Sequence, residues 1–313
     1  VKDLLSIHDL TAEEVAAIFR LAANLKGWQR RGVPHPLLPG KTLAMIFEKP
    51  SLRTRVTFEV GMTQLGGHAI YLTPADIRLG QRETVQDAAR NLERWADGIM
   101  ARTFSHQMVE KLAEHAGIPV INGLTDRLHP CQILTDIFTL QEHRGPVRGL
   151  KVAYVGDGNN VCNSWCYGAA KTGIHLAVAC PQGYEPDGEV WHKAREDAKA
   201  SGATLSLGHD PEAAVRDAHA IYTDVWASMG QEEEHAQRLR DFQDFQLNAR
   251  LVEMARPDVL VMHCLPAHRG EEITDEVIDG PHSVVFDQAE NRLHVQKAIL
   301  VLLMAPYAVT PAA

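Results

Sequence analysis

At 313 residues the chain is longer than one hydrophobic core usually organises, so two domains are expected. Hydrophobic residues make up 45% and charged residues 23%, the composition of an ordinary globular protein. Lysine plus arginine (31) against aspartate plus glutamate (40) leaves a net charge of −9, which argues against broad nucleic-acid binding but leaves room for a small, locally basic pocket.

The first segment reads as a helix: Thr11 stands before Ala12-Glu13-Glu14 as a capping signature, and Val15, Ile18, Phe19 and Ala22 recur at helical spacing. Gly32, Pro34, Pro36, Pro39 and Gly40 end it. Strands are predicted at 42–47, 69–72, 98–101 and 119–122, with helices at 51–65, 84–95, 106–116 and 130–143. Arg144-Gly145-Pro146 marks a junction, after which strands are predicted at 151–155, 175–180, 204–207, 220–223, 259–263 and 283–286. A helix at 288–304 closes the pattern. Such alternation in both halves predicts an α/β protein of two doubly wound parallel sheets with helices on both faces. Ligands in such folds sit beyond the carboxyl ends of strands, so the residues following each strand are the ones to read.

The first strand is followed by Ser51-Leu52-Arg53-Thr54-Arg55. A serine at the N-cap opens a helix whose first N–H groups lack partners, and the dipole adds positive potential there. With two hydroxyls and two arginines on one turn this is an anion site, Arg53 being able to grip phosphate through two N–H groups. The same residues also suit a merely capped surface helix, so the motif gains weight from its company. Arg102-Thr103 ends another strand, and His129-Pro130-Cys131-Gln132 follows a third, with Pro130 suited to a first helical turn. Together these describe a pocket for a phosphate and a polar carbonyl.

In the second half, Gly156-Asp157-Gly158-Asn159-Asn160 invites a dinucleotide reading, but Val161 replaces the third glycine. No acid follows the next strand, which runs into Pro181-Gln182-Gly183. No nicotinamide cofactor is therefore expected, and Asn159 and Asn160 are read as presenting amides to a small polar ligand. Asp224 leaves an apolar strand in Asp224-Val225-Trp226-Ala227-Ser228-Met229-Gly230, well placed for an ammonium group, with Gly230 as a hinge before an acidic stretch. An ordinary turn-capping aspartate would look the same in isolation. Cys264 sits at a strand end in His263-Cys264-Leu265-Pro266; adjacent strand residues point to opposite faces, so His263 and Cys264 do not form a nucleophile pair.

The five cysteines are odd in number and irregularly spaced, and no leader is read at the opening Val1-Lys2-Asp3. A reducing, cytoplasmic setting is expected. Cys162 and Cys166 are separated by three residues and no second pair follows at zinc-ribbon spacing, so no structural metal is expected. Apolar stretches such as 298–305 are too short to span a bilayer, so no membrane role is expected either.

With these segments together, the chain resembles the ornithine carbamoyltransferase family along nearly its whole length. The likeness is carried by Ser51-Leu52-Arg53-Thr54-Arg55, Arg102-Thr103-Phe104-Ser105-His106, His129-Pro130-Cys131-Gln132, Gly156-Asp157-Gly158-Asn159-Asn160, the segment 224–230, His263-Cys264-Leu265-Pro266 and Glu290-Asn291-Arg292. The resemblance implies a carbamoyl-phosphate domain at 1–144, an ornithine domain at 145–290 and a terminal helix at 291–313 packing back on the first. It implies an enzyme of arginine metabolism that forms citrulline and phosphate from carbamoyl phosphate and L-ornithine, assembled as a trimer or a multiple of trimers. Carbamoyl phosphate would meet Ser51, Leu52, Arg53, Thr54, Arg78, Arg102, His129, Gln132, Cys264, Leu265 and Arg292. Ornithine would meet Asn160, Asp224, Ser228 and Met229. Arg102, His129, Cys264 and Asp224 would carry the chemistry, with no metal or organic cofactor needed.

Two positions depart from the family's commoner pattern. Leu52 stands where threonine is frequent, which leaves only a backbone N–H, and Arg78 stands where glutamine or histidine is usual, in a segment expected to reach a neighbouring subunit. Cys-Leu-Pro-Ala replaces the Pro-Leu-Pro-Arg expected of an aspartate-specific relative. Putrescine or an N-acylated ornithine as acceptor, and a non-catalytic metabolite-binding member, are the alternatives.

Overall fold

The computed structural model describes residues 1–227 and 234–305, which fall into two compact units, Val1–Phe138 with Glu290–Ala313, and Thr139–Ala289. In the first unit a capping box at Thr11 opens α1 (Ala12–Arg30), with Glu14 returning to the Thr11 N–H. Then follow β1 (Thr42–Phe47), α2 (Leu52–Gln64), β2 (His68–Leu72), α3 (Pro74–Ile77), α4 (Val85–Leu92), β3 (Gly98–Arg102), α5 (His106–His115), β4 (Val120–Leu124) and α6 (Pro130–Arg144). The strands form one parallel sheet in the order β2-β1-β3-β4. Central β1 and β3 are buried along nearly their whole length, as continuous apolar runs covered on both faces should be, whereas edge strand β2 is partly exposed.

The second unit contains β5 (Lys151–Val155), α7 (Asn160–Thr172), β6 (His175–Ala179), α8 (Gly188–Ser201), β7 (Leu205–Gly208), α9 (Pro211–Val215) and β8 (Ala220–Thr223). After it come α10 (His235–Asp241), α11 (Ala249–Glu253), β9 (Leu260–His263), α12 (Asp275–Ile278) and α13 (Val285–Met304), whose residues from Glu290 onward belong to the first unit. Its parallel sheet has the order β7-β6-β5-β8-β9. Each sheet therefore reverses its direction of growth once, between β1 and β3 in the first and between β5 and β8 in the second. Crevices at such points, beyond the carboxyl ends of the strands, are where open α/β sheets take ligands.

One predicted strand is corrected. The stretch 283–286 is not a strand: Ser283 makes a single bridge to Val261, the Val284 N–H reaches the Val261 carbonyl at 3.0 Å, and α13 begins at Val285. The run Ser283-Val284-Val285-Phe286 is short enough for either period, and Phe286 at 70% exposure has no sheet face to fill. Helix α3 and its capping box at Thr73 and Asp76 are an element the sequence pattern did not predict.

Candidate active site

The residues read from the sequence as an anion site follow β1 and end β3, the strands between which the first unit's sheet reverses. Ser51 caps α2 by accepting the Thr54 N–H at 3.2 Å. Leu52 opens the helix 73% exposed, Arg53 is half-buried and Thr54 is buried. Arg102 ends β3, paired with Phe47 on one side, while its register against β4 shifts between Ala101 and Arg102. Such an irregularity turns a side chain away from the plain alternation of the strand. The Arg102 carbonyl accepts the Glu48 N–H at 2.8 Å, and a Glu48 carboxylate oxygen accepts the Phe104 N–H at 2.7 Å, tying together the two loops that flank the switch point.

His129 precedes α6, and its carbonyl accepts the first helical N–H groups, those of Gln132 and Ile133. From α13, buried Arg292 donates to the Gln132 Oε1 and, at 3.1 Å, to the Thr54 Oγ1. Gln132 in turn donates to Asp136 at 2.8 Å. One guanidinium thus joins the helices that carry Thr54 and Gln132. Burial first, then the cations Arg292, Arg102 and Arg53, hold the His129 imidazole well below its ordinary pKa, so it is neutral around pH 7. Arg292, Arg102 and Arg53 are thus the cations whose charge reaches this buried imidazole.

Helix α13 is held against α2 along its length. A Cβ on Gly61 would lie 3.3 Å from Lys297 Cγ, so glycine permits the close approach. Buried Lys297 donates to Gln29 and Gln64 at 2.8 Å each and to His35 Nε2 at 3.1 Å. It has no carboxylate among these partners, and burial brings its pKa down to about 8. Sequence reading missed this brace; the only local signal is a lysine inside the apolar run of the last helix.

Arg78 lies elsewhere. It is exposed at the end of α3 with a left-handed φ of 41°, and with Ala75, Gln81 and Arg82 it lines a hollow to which Ser51, Arg53, Thr54 and Arg102 do not contribute.

In the second unit, Asp224 follows β8 and is buried. Its Oδ1 accepts the Cys264 Sγ–H at 2.9 Å, and its Oδ2 accepts an Asn159 amide N–H at 2.8 Å. Asn159 is the N-cap of α7, accepting from the Val161 and Cys162 N–H groups, so its side chain is spent on structure and on orienting Asp224. Asn160 opens the helix, half-buried. Gly158 of the glycine-rich stretch has no room for a pyrophosphate's approach: a Cβ there would lie 2.3–2.5 Å from the backbone of Tyr184, Glu185 and Pro186. Asp157 meets buried Arg238 at 2.9 Å, and Arg238 also donates to the Trp226 carbonyl. Burial pushes the Asp157 carboxyl up to about 6 despite that cation.

Cys264 rides on a turn fixed from behind. The Leu265 N–H donates to His263 Nδ1 at 2.8 Å, which places the ring proton on Nε2, facing the fully buried Glu272 at 3.0 Å. The His263 N–H donates to Gln288. Leu265 itself takes a left-handed φ of 58°, a strained state that this framework holds in place. His263 and Cys264 hydrogen-bond to different partners, although a ring nitrogen and the thiol sulfur lie within 4.8 Å of each other rather than on opposite faces. Ser228 and Met229, and the hinge read at Gly230, lie outside the described residues. Glu272, Asp157 and Arg238 were missed, since an isolated acid or base in a sequence says nothing of a partner many residues away.

Known proteins place this arrangement. Residues 2–142 match the family described as aspartate/ornithine carbamoyltransferase, carbamoyl-P binding domain, and residues 148–303 match its Asp/Orn binding domain. The chain is 57% identical over 303 residues to an ornithine carbamoyltransferase of Carboxydothermus hydrogenoformans, covering 97% of each chain. The solved ornithine carbamoyltransferase of Pyrococcus furiosus is 57% identical and superposes with a TM-score of 0.95 over 97% of each chain. That of Thermus thermophilus is 48% identical with a TM-score of 0.87, over 97% of this chain and 99% of that one. Among the described residues no helix is long and apolar enough to cross a membrane. This chain belongs to the aspartate/ornithine carbamoyltransferase family.

Proposed function

We propose that the chain transfers the carbamoyl group of carbamoyl phosphate to the side-chain amine of L-ornithine, giving L-citrulline and phosphate. The observation that carries this is Arg292 joining Thr54 at the α2 N-terminus to Gln132 at the start of α6, beside a buried His129 within reach of the charges of Arg292, Arg102 and Arg53. The α2 N-terminus with Ser51, the Leu52 N–H, Arg53 and Thr54, together with Arg102, receives the phosphate dianion. Arg102, His129 and Gln132 hold the carbamoyl group, with Arg292 fixing Thr54 and Gln132 around it. Arg78 reaches the phosphate site of a neighbouring subunit, and Leu265 lines the reacting centre beside Cys264.

Asp224 takes the α-ammonium of ornithine and Asn160 its carboxylate, with Ser228 and Met229 completing that side. A side-chain ammonium has a pKa of about 10.4 by analogy with lysine, so the site must select or produce the neutral amine. Cys264, whose thiol donates to Asp224, relays that proton by passing its own to the carboxylate as it takes up the amine's. The amine nitrogen then bonds to the carbonyl carbon, the carbon–oxygen bond to phosphate breaks, and the proton lost by nitrogen ends on phosphate. Charge growing on the carbonyl oxygen meets donors already in place, which spares the cost of reorganising water. A neutral His129 donates there without adding to the cationic crowd.

The chain works as a homo-oligomer, a trimer or a multiple of it. Leu52, Val56 and Val60 recur every four residues along α2 and stand 73%, 45% and 36% exposed, an apolar stripe of the kind a subunit contact covers. A cytoplasmic setting fits five free cysteines, four of them buried. Parallel assays with ornithine, putrescine, N-acetylornithine and aspartate test the acceptor. Phosphate release is expected with ornithine alone. Equal or faster release with another amine would reassign the substrate, and none with any would leave a metabolite-binding protein.

A further inference from the structure

On the surface of the second unit, His235 at the start of α10 and the turn 268–271 bring three metal-binding side chains together. Glu271 Oε2 lies 3.1 Å from His235 Nε2 and 3.5 Å from His268 Nδ1, and these ligand atoms all fall within 4.8 Å of one another. Two ligands at 2.0–2.1 Å from a tetrahedral zinc-like ion are separated by about 3.3 Å. The separations of 3.1 and 3.5 Å bracket that value, and the two imidazole nitrogens lie within 4.8 Å of each other. The imidazoles, 6.5 Å apart between ring centres and inclined at 79°, leave the carboxylate open to both.

The scaffold is fixed independently of the three side chains. The His268 N–H donates to Glu272 at 2.7 Å, the Glu271 N–H to the His268 carbonyl at 2.9 Å, and the Gly270 N–H to the Ile273 carbonyl at 2.8 Å. Gln246 holds the carbonyls of Gly270 and Glu271. All three side chains keep between a quarter and a half of their surface open to solvent, so an ion has a path in and water can complete its coordination.

We propose that His235, His268 and Glu271 form a binding site for a divalent transition cation of the zinc, cobalt or nickel type. Two imidazoles and one carboxylate suit these ions, whereas calcium and magnesium take oxygen-rich sets. The ion is no part of carbamoyl transfer. It ties the first turn of α10 to the turn that follows Cys264, and its binding stands whether or not the functional reading above holds.

Cobalt(II) titration of the full-length protein, followed by visible absorption and equilibrium dialysis, tests the site. One ion per chain is expected, with ligand-field bands and no thiolate-to-cobalt charge-transfer absorption. His235→Ala and His268→Ala should each weaken binding by at least about tenfold, the lower end of the loss seen even for outer-shell changes. Both changes leave backbone hydrogen bonds intact, and unchanged circular dichroism verifies the fold. Cys264→Ser should bind as the parent does. Binding no tighter than in the double histidine variant, equal affinity in all variants, or a thiolate band that vanishes with Cys264→Ser would overturn the site, the last moving the ion to the Asp224 and Cys264 pair.

Discussion

His129 is buried within reach of three cations, and burial above all decides its charge before any substrate arrives. Because burial and three arginines hold its pKa well below the ordinary value, it does not titrate in the neutral range. His129→Leu, uncharged at every pH and without a donor, should lower kcat about a hundredfold, the cost of losing one preorganised donor, while leaving the shape of the pH–rate profile unchanged. Disappearance of an acid limb near the usual histidine range in the variant would show that His129 works by changing charge. Cys264 presents a different case, since its thiol is engaged by the Asp224 carboxylate. Cys264→Ala should raise KM for ornithine roughly tenfold or more, as expected for a hydrogen bond to a charged group, with KM for carbamoyl phosphate unchanged. Identical steady-state kinetics would remove Cys264 from the mechanism. Both side chains were legible in the sequence because each follows a strand, and so was Asp224; its 2.9 Å bond to Cys264, 40 residues on, joins the ends of neighbouring strands β8 and β9.

Helix α13 shows what an element adds to the residues it carries. Arg292 reaches Thr54 across 238 residues of sequence, and Lys297 reaches Gln64 across 233, so both ends of α2 are pinned from the same helix. The unfolded chain keeps the Lys297 proton up to its ordinary 10.5, whereas the folded protein releases it at about 8. Between those values the unfolded state binds more protons, so this group makes stability rise with pH from about 8 to 10.5. In Lys297→Met that rise should be missing from the difference between thermal melting curves recorded at pH 8 and above. Parallel pH trends in the two proteins would show that the amine is not depressed in the fold. The start of this helix was read as strand because Ser283-Val284-Val285-Phe286 is too short to reveal a period. The single bridge to Val261 is all the strand character it retains.

For the molecule as a unit, strand–helix alternation made both parallel sheets legible, since a parallel strand demands a crossover and the crossovers read as helices. What alternation cannot supply is strand order, and order creates the two switch points. Once β1 and β3 stand side by side, Ser51 to Thr54 and Arg102 come to the same edge; once β5 and β8 do, Asn159 meets Asp224. Gly158 then proves to be packed against the backbone of Tyr184, Glu185 and Pro186, and a chain of net charge −9 still brings Arg53, Arg102 and Arg292 to bear on one imidazole. Steady-state citrulline formation by Arg53→Gly, with folding followed by its melting temperature, probes that concentration of charge most directly. A normally folded variant with kcat reduced by at least about a hundredfold is expected, since it has lost a donor to the phosphate that departs. Near-parental citrulline formation by that folded variant would contradict the anion site.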